Sequence, residues 1–189
     1  MTRGLGRMLA WGMLAGALAL PAARADDKGQ SVELGGLKSA APAAWKMGKP
    51  SSSMRAFQAT LPHADGDKAD AELVVFYFGP GGGGSVEDNL KRWKGMLLPP
   101  EGKAIDDVAK VDKMKVAGHD VTYLDVQGTY LHKDQPFNPN AAVEKRPDYR
   151  MLAVVYEAPK GPYYIRVVGP AKTVESHKKA FDNWLKNFK

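Results

Sequence analysis

AELVVFYFGPGGGGSVEDNLKRWKGMLL, residues 71–98, joins an apolar run to an amphipathic stretch through a glycine-rich turn, and its reading decides the fold. Leu73 to Phe78 is continuous and β-favouring, which suits a strand covered on both faces rather than an edge strand with one wet face. Gly79-Pro80 ends that strand, and the glycines at 81–84 allow the backbone positive φ wherever the turn requires it. Ser85, with Asp88 three residues on, is placed to cap a helix in the manner of a capping box. Val86, Leu90, Trp93 and Leu97 then recur at helical spacing, while Glu87 with Lys91 and Asp88 with Arg92 make i, i+4 pairs on the other side. Acid opens this helix and base closes it, as its dipole prefers.

A strand, a glycine turn and a helix form the unit on which many phosphate sites are built, but the chemistry is missing here. A P-loop places a lysine and a hydroxyl directly after its last glycine, and this chain has Ser85 and Val86. A dinucleotide site needs an acid about 20 residues on, at the end of the next strand; Asp106 and Asp107 lie near that distance but in no apolar strand. The turn is therefore expected to be structural.

The first 25 residues carry the signature of an export signal. Arg3 and Arg7 form a basic start, Met8 to Ala23 is uncharged and apolar, and Ala23-Arg24-Ala25 offers small residues for cleavage. The apolar run is 16 residues, short of the roughly 20 that span a bilayer, and contains Pro21. Cleavage after Ala25 takes three arginines and no acid, so the 189-residue chain at +6 becomes a 164-residue chain at +3. That length suits one domain. The expected organisation is a cleaved signal peptide over 1–25, a flexible lead-in over 26–37 and a single domain over 38–189. Secretion to the periplasm or beyond follows from the signal. Lysines and acids are interspersed, the pattern of a solvated surface and not of a nucleic-acid interface. With no cysteine there is no disulfide, thiol nucleophile or cysteine-bound metal.

Along the domain, Trp45 to Met47 and Met54 to Thr60 read as short strands before the one over 73–78. Pro99-Pro100 stops the helix that follows. Residues 108–117 and 120–131 read as a hairpin about Gly118, and 151–157 and 163–168 as another. The polar stretch from His132 to Asp148 reads as a long loop, and such loops in compact domains are functional or disordered. Pro170 or Thr173 opens a last helix, whose face carries Val174, Phe181, Trp184, Leu185 and Phe188. The order β-β-β-α-β-β-β-β-α, joined largely by hairpins, predicts an α+β fold: a mainly antiparallel sheet covered by helices.

The runs FYFGPGGGGSVEDNLKRW, VTYLDVQGTY and YRMLAVVYEAPKGPYYIRVVGPAKTV resemble those of a group of exported bacterial proteins whose arrangement is similar to the PsbP-like sandwich. The resemblance covers about residues 40–188. It implies a non-catalytic accessory or interaction role, as in the extrinsic photosystem II subunit of that fold, and it carries over no site residues.

Candidate sites are few. His63, His119, His132 and His177 show no metal-ligand spacing, and Asp65-Gly66-Asp67 with Asp70 and Glu72 lacks the order of a calcium loop. No cofactor and no metal are expected. Asp125 interrupts an apolar strand. It either points into a cleft as a functional carboxylate or pairs with Arg150 or Arg166. Phe137, Asn138, Asn140, Lys145, Arg146 and Tyr149 mix anchors and donors suited to recognition by the 132–149 loop. The glycine turn either flanks that loop or lies at the opposite end. The leading expectation is an exported binding or accessory module whose partner is an envelope protein or small ligand. The alternatives are a small-molecule hydrolase built around Asp125, and a binder of envelope polyanions or membrane surfaces through lysines.

Overall fold

The structure is a computed structural model that describes Met1 and residues 29–135, 138 and 140–189. Apart from Met1, the expected signal segment lies outside the described residues.

All seven expected strands form, together with elements the sequence did not announce. They are β3 (Lys46–Met47), β4 (Arg55–Leu61), β5 (Ala71–Tyr77), β7 (Lys110–Val116), β8 (His119–His132), β9 (Glu144–Ala158) and β10 (Gly161–Pro170). With the short β6 (Leu97–Leu98) they build one antiparallel sheet in the order β3-β4-β5-β10-β9-β8-β6, and β7 pairs with the other end of β8. The β5 strand of the 71–98 run is interior, between β4 and β10, and Leu73, Val74 and Val75 are buried on both of its faces. The middle of the sheet belongs to the pairing of β9 with β10.

Two helices, α1 (Val86–Lys94) and the short α2 (Ile105–Val108), cover one face; α3 (Ala171–Lys186) covers the other. Strand parity divides the side chains between them. On β10, Tyr163, Ile165 and Val167 point to α3, while Tyr164 and Val168 point to α1; on β9, Leu152, Val154 and Tyr156 oppose Met151, Ala153 and Val155 in the same way. The α3 core is the larger, centred on Trp184, whose ring meets Trp45, Phe57, Phe181 and Phe188 at centroid distances of 5.6, 6.1, 5.9 and 5.1 Å. The fold is thus an α+β sandwich, and among the described residues no helix is long and apolar enough to cross a membrane.

Two expectations need correction. The flexible lead-in expected over 26–37 instead forms β1 (Ser31–Leu34), which pairs across a turn at Gly35-Gly36 with β2 (Leu37–Ala40), so the hairpin crosses the expected boundary. Val32 and Leu34 alternate into the α3 core, and Lys38 exchanges backbone hydrogen bonds of 2.9 and 3.1 Å with Lys189. The short alternation of Val32 and Leu34 was outweighed in the sequence by the glycines and charges around it. Secondly, the 132–149 loop is shorter than expected, because β9 begins at Glu144 and extends the β8 hairpin through His132↔Glu144. Arg146 and Tyr149 are therefore strand residues.

The remaining turns obey local chemistry. Ala117 and Gly118, with φ of 49° and 83°, form the two-residue turn between β7 and β8. Ser85 caps α1 as expected: its Oγ accepts from the Asp88 amide at 3.1 Å and donates to Asp88 Oδ2 at 2.7 Å. The acidic turn of residues 65–70 is structural. Asp67 accepts from the Thr173 amide and hydroxyl at 2.9 and 2.6 Å and so caps α3 from outside, while Asp70 accepts from His63.

Candidate functional site

The α1 face is incompletely covered. Beyond the C-terminal end of α1, the sheet forms the floor of a cleft of about 730 Å³. Residues from six elements meet there, each placed by strand parity or helix face. Arg166 comes from β10, between Tyr164 and Val168, and so faces α1. Arg55 comes from β4 and Glu72 from β5; they pair at 2.8 Å across neighbouring strands. Arg92 descends from α1. Tyr130 of β8 and Tyr149 of β9 form one wall, their rings stacked at 5.9 Å with 9° between planes. Arg146 stands beside them and is paired with Glu144 at 2.6 Å, which raises its pKa.

Arg166 is the unusual member. It is partly buried in the middle of the sheet, and among the described residues no carboxylate lies within 4 Å of it. Among the described residues its NH1 donates only to the thioether of Met96, at 3.3 Å, a weak acceptor. The guanidinium also lies 5.9 Å from the centre of the Phe76 ring. Burial holds its pKa below the ordinary arginine range; the fields of Tyr130 and Glu72 act the other way, and those of Arg55 and Arg92 add to the lowering.

The glycine turn has a part in this geometry. Tyr164 donates its hydroxyl to Gly82 O and Gly84 O, each at 3.0 Å, which fastens the turn to the sheet. The buried Asn89 donates to Gly83 O and Ser85 O at 2.9 and 2.8 Å, leaving its Oδ1 to accept from Arg92. A chain of hydrogen bonds thus runs from β10 through the turn to the Arg92 guanidinium. The turn offers carbonyls to the protein, and its following helix is already capped by Ser85, in keeping with a structural turn.

The expected site residues are divided. Arg146 and Tyr149 line the cleft. Asn138 lies in the connecting loop, where it bonds to Gln135 and to the Asn140 amide, and Phe137 lies outside the described residues. Asp125 is on the other face, outside the cleft. Both its oxygens accept from Arg150, from Nε and NH2, at 2.7 Å each, and Arg150 also bonds Glu175 of α3. The hydrogen bonding to Asp125 is the main reason that the Arg150 pKa is raised. Of the two partners open from sequence, parity selects Arg150, because Arg166 faces the opposite way. Beside this pair, Tyr123 donates to Asp182 at 2.9 Å and Lys178 bonds the same carboxylate at 2.7 Å. Among the described residues no group of three metal-ligating side chains is close enough to hold an ion.

Sequence reading did not name Arg55, Arg92, Tyr130 or Asn89 as site residues, and it considered Arg166 only as one of two possible partners of Asp125. A signal for Arg166 was present: in YYIRVV, a run covered on both faces, a lone cation must face inward on one of them.

No family model matches the chain, and no curated protein matches it. Among solved structures, the chain is similar to cyanobacterial PsbP (CyanoP) from Synechocystis sp. PCC 6803, in a solution structure, with 14% sequence identity and a TM-score of 0.50. That similarity covers 92% of this chain and 99% of the other. The likeness shows the fold, a PsbP-like α+β sandwich.

Proposed function

We propose that this protein is a non-catalytic binding or accessory module of the periplasm or cell envelope, and that it binds through the cleft beyond the end of α1. The export signature of residues 1–25 supports the compartment, and the PsbP-like sandwich is compatible with an accessory role. The observation that carries the reading is Arg166, a partly buried guanidinium without a carboxylate, facing a cleft large enough for a ligand. A buried polar group left short of partners costs stability, and folds keep such groups where a ligand completes them.

Site-specific photocrosslinking tests the proposal. Val143 is 47% exposed on the cleft rim, and Val111 is 40% exposed on β7, away from it. A photoreactive residue at position 143 should trap a reproducible adduct in cells, read by intact mass, whereas the same group at position 111 should not. Equal trapping at both positions, or none at either, removes the cleft from the proposal.

A further inference from the structure

The chemistry of the cleft specifies more than a place to bind. The guanidiniums of Arg55 and Arg92 both lie close enough to repel that of Arg166, and among the described residues Arg55 alone of the three has a carboxylate partner. Arg92 suits the C-terminal end of its helix, where the dipole favours a cation, but Arg166 has no such role. A planar guanidinium offers five donors in a fixed fork, and the Arg166 fork meets one thioether. Arg92 is held by Asn89, which is itself fixed by two carbonyls of the turn region. This is a preorganised pair of cationic donors with no anionic acceptor among the described residues. Phosphate and carboxylate oxygens match that fork geometry.

The cleft is also larger than a small inorganic ion requires. At about 730 Å³ it lies within the range of organic-ligand pockets, and the stacked pair Tyr130 and Tyr149 gives it a flat aromatic wall. A lone inorganic phosphate would leave that wall wet. An aromatic or flat apolar body attached to the anion would cover it.

Resting on the proposed binding cleft, we propose that its ligand is a free small organic anion. Its phosphate or carboxylate head sits on Arg166 and Arg92, and its flat apolar body lies against Tyr130 and Tyr149. Asn89 is then a positioning residue, acting through Arg92.

Isothermal titration of the purified protein tests this with three probes: phenyl phosphate, inorganic phosphate, and phosphatidylcholine vesicles containing phosphatidylglycerol. Phenyl phosphate should bind more tightly than inorganic phosphate, and Tyr149→Ala should narrow the difference. Arg166→Met should weaken phenyl phosphate at least about tenfold, since charge-assisted hydrogen bonds are lost. The same change should leave Tm unchanged or raise it, because it replaces a partly buried, unpaired cation beside Met96 and Phe76 with an apolar chain of similar length. A purely structural arginine would instead lower Tm. Arg92→Gln, on the exposed side of α1, should weaken binding similarly and decides the matter if Arg166→Met does not fold.

Unchanged affinity in both arginine variants overturns the proposal. So does binding to the phosphatidylglycerol vesicles with none to phenyl phosphate, which would make the site a lipid-surface contact. If neither phosphate probe binds while the Val143 crosslink persists, the anion is wrong and the binding cleft stands.

Discussion

Arg150 and Arg166 stand on adjacent strands and have opposite surroundings. Arg150 is held by both oxygens of Asp125, each side chain only 16% exposed, and is extended by Glu175; Arg166 meets a sulfur atom and a ring. The sequence offered both as partners of Asp125, and only register separates them, since a one-residue shift sends a side chain to the other face of the sheet. Register depends on which strands pair, and neither residue's neighbours in the chain reveal that. Asp125 itself was legible as an anomaly in an apolar strand. A second residue out of place is Tyr156, buried with its hydroxyl lacking a hydrogen-bond partner among the described residues. Tyr156→Phe removes an unsatisfied polar atom at nearly constant volume, so it should raise stability by about 1 kcal/mol, measured by urea unfolding at neutral pH. Burial also raises the pKa of Tyr156, as it does those of Tyr123, Tyr163 and Tyr164. Above the unfolded-state tyrosine value, about pH 10, the unfolded chain loses these protons while the native state keeps them. Stability should therefore hold up to that pH and fall as pH rises further, less steeply in Tyr156→Phe than in the parent. Equal slopes for the two proteins between pH 9 and 11 would refute the assignment of this group to that loss.

At the scale of elements, the 71–98 run was legible because its signals are local. A continuous apolar strand, a glycine turn, a capping serine and a helical stripe each declare themselves within a few residues. The start of β9 was not. Residues 144–149 carry charges, a proline and no alternation, because that part of the hairpin has little core to face. Pro147 falls where the β8–β9 register shifts, between the pairs Tyr130↔Arg146 and Gly128↔Tyr149, and Asp148 has φ of 55°. A bulge tolerates a residue without an amide hydrogen, so a proline that reads as a loop signal lies inside a strand. That misreading also hid the cleft, whose aromatic wall depends on β8 and β9 being paired there. The glycine turn makes a prediction at this scale. Gly83 has φ of 90°, and a Cβ on it would lie 2.2 Å from the Tyr164 ring; Gly81 has φ of 73° and open space around it. Gly81→Ala should cost about 1 kcal/mol, the strain of a left-handed conformation alone. Gly83→Ala should cost about 2–4 kcal/mol, because the turn must also move off the tyrosine that fastens it. Equal costs in urea unfolding would show that Tyr164 does not clamp the turn.

Over the whole molecule, the sheet separates two layers of unequal cohesion. On the α3 side, 16 helical residues lie over a continuous core that also takes in the β1–β2 hairpin and Trp45. On the other side, the nine residues of α1 and four of α2 cover a smaller core, with the cleft open at the end of α1. Local opening follows buried apolar contact, so the α1 layer should exchange its amide hydrogens through openings well below the global unfolding free energy, while α3 and the β9–β10 pair should exchange only near it. Because Arg92 belongs to α1 and Arg166 to the sheet, an anion bridging them ties the weaker layer to the stronger. A ligand that binds the closed form alone raises the opening free energy by RT ln(1 + [L]/Kd), roughly 2.7 kcal/mol at a hundredfold excess over Kd. Phenyl phosphate at that excess should therefore slow exchange in α1 and the glycine turn about a hundredfold, wherever exchange proceeds through opening of the α1 layer. Amides in α3 that exchange only by global unfolding should slow by a similar factor, because the unfolded chain does not bind the ligand. Native-state hydrogen exchange resolved by residue measures both. Protection rising in α3 but not in α1 would mean that the ligand opposes only global unfolding, and that the arginines do not join α1 to the sheet.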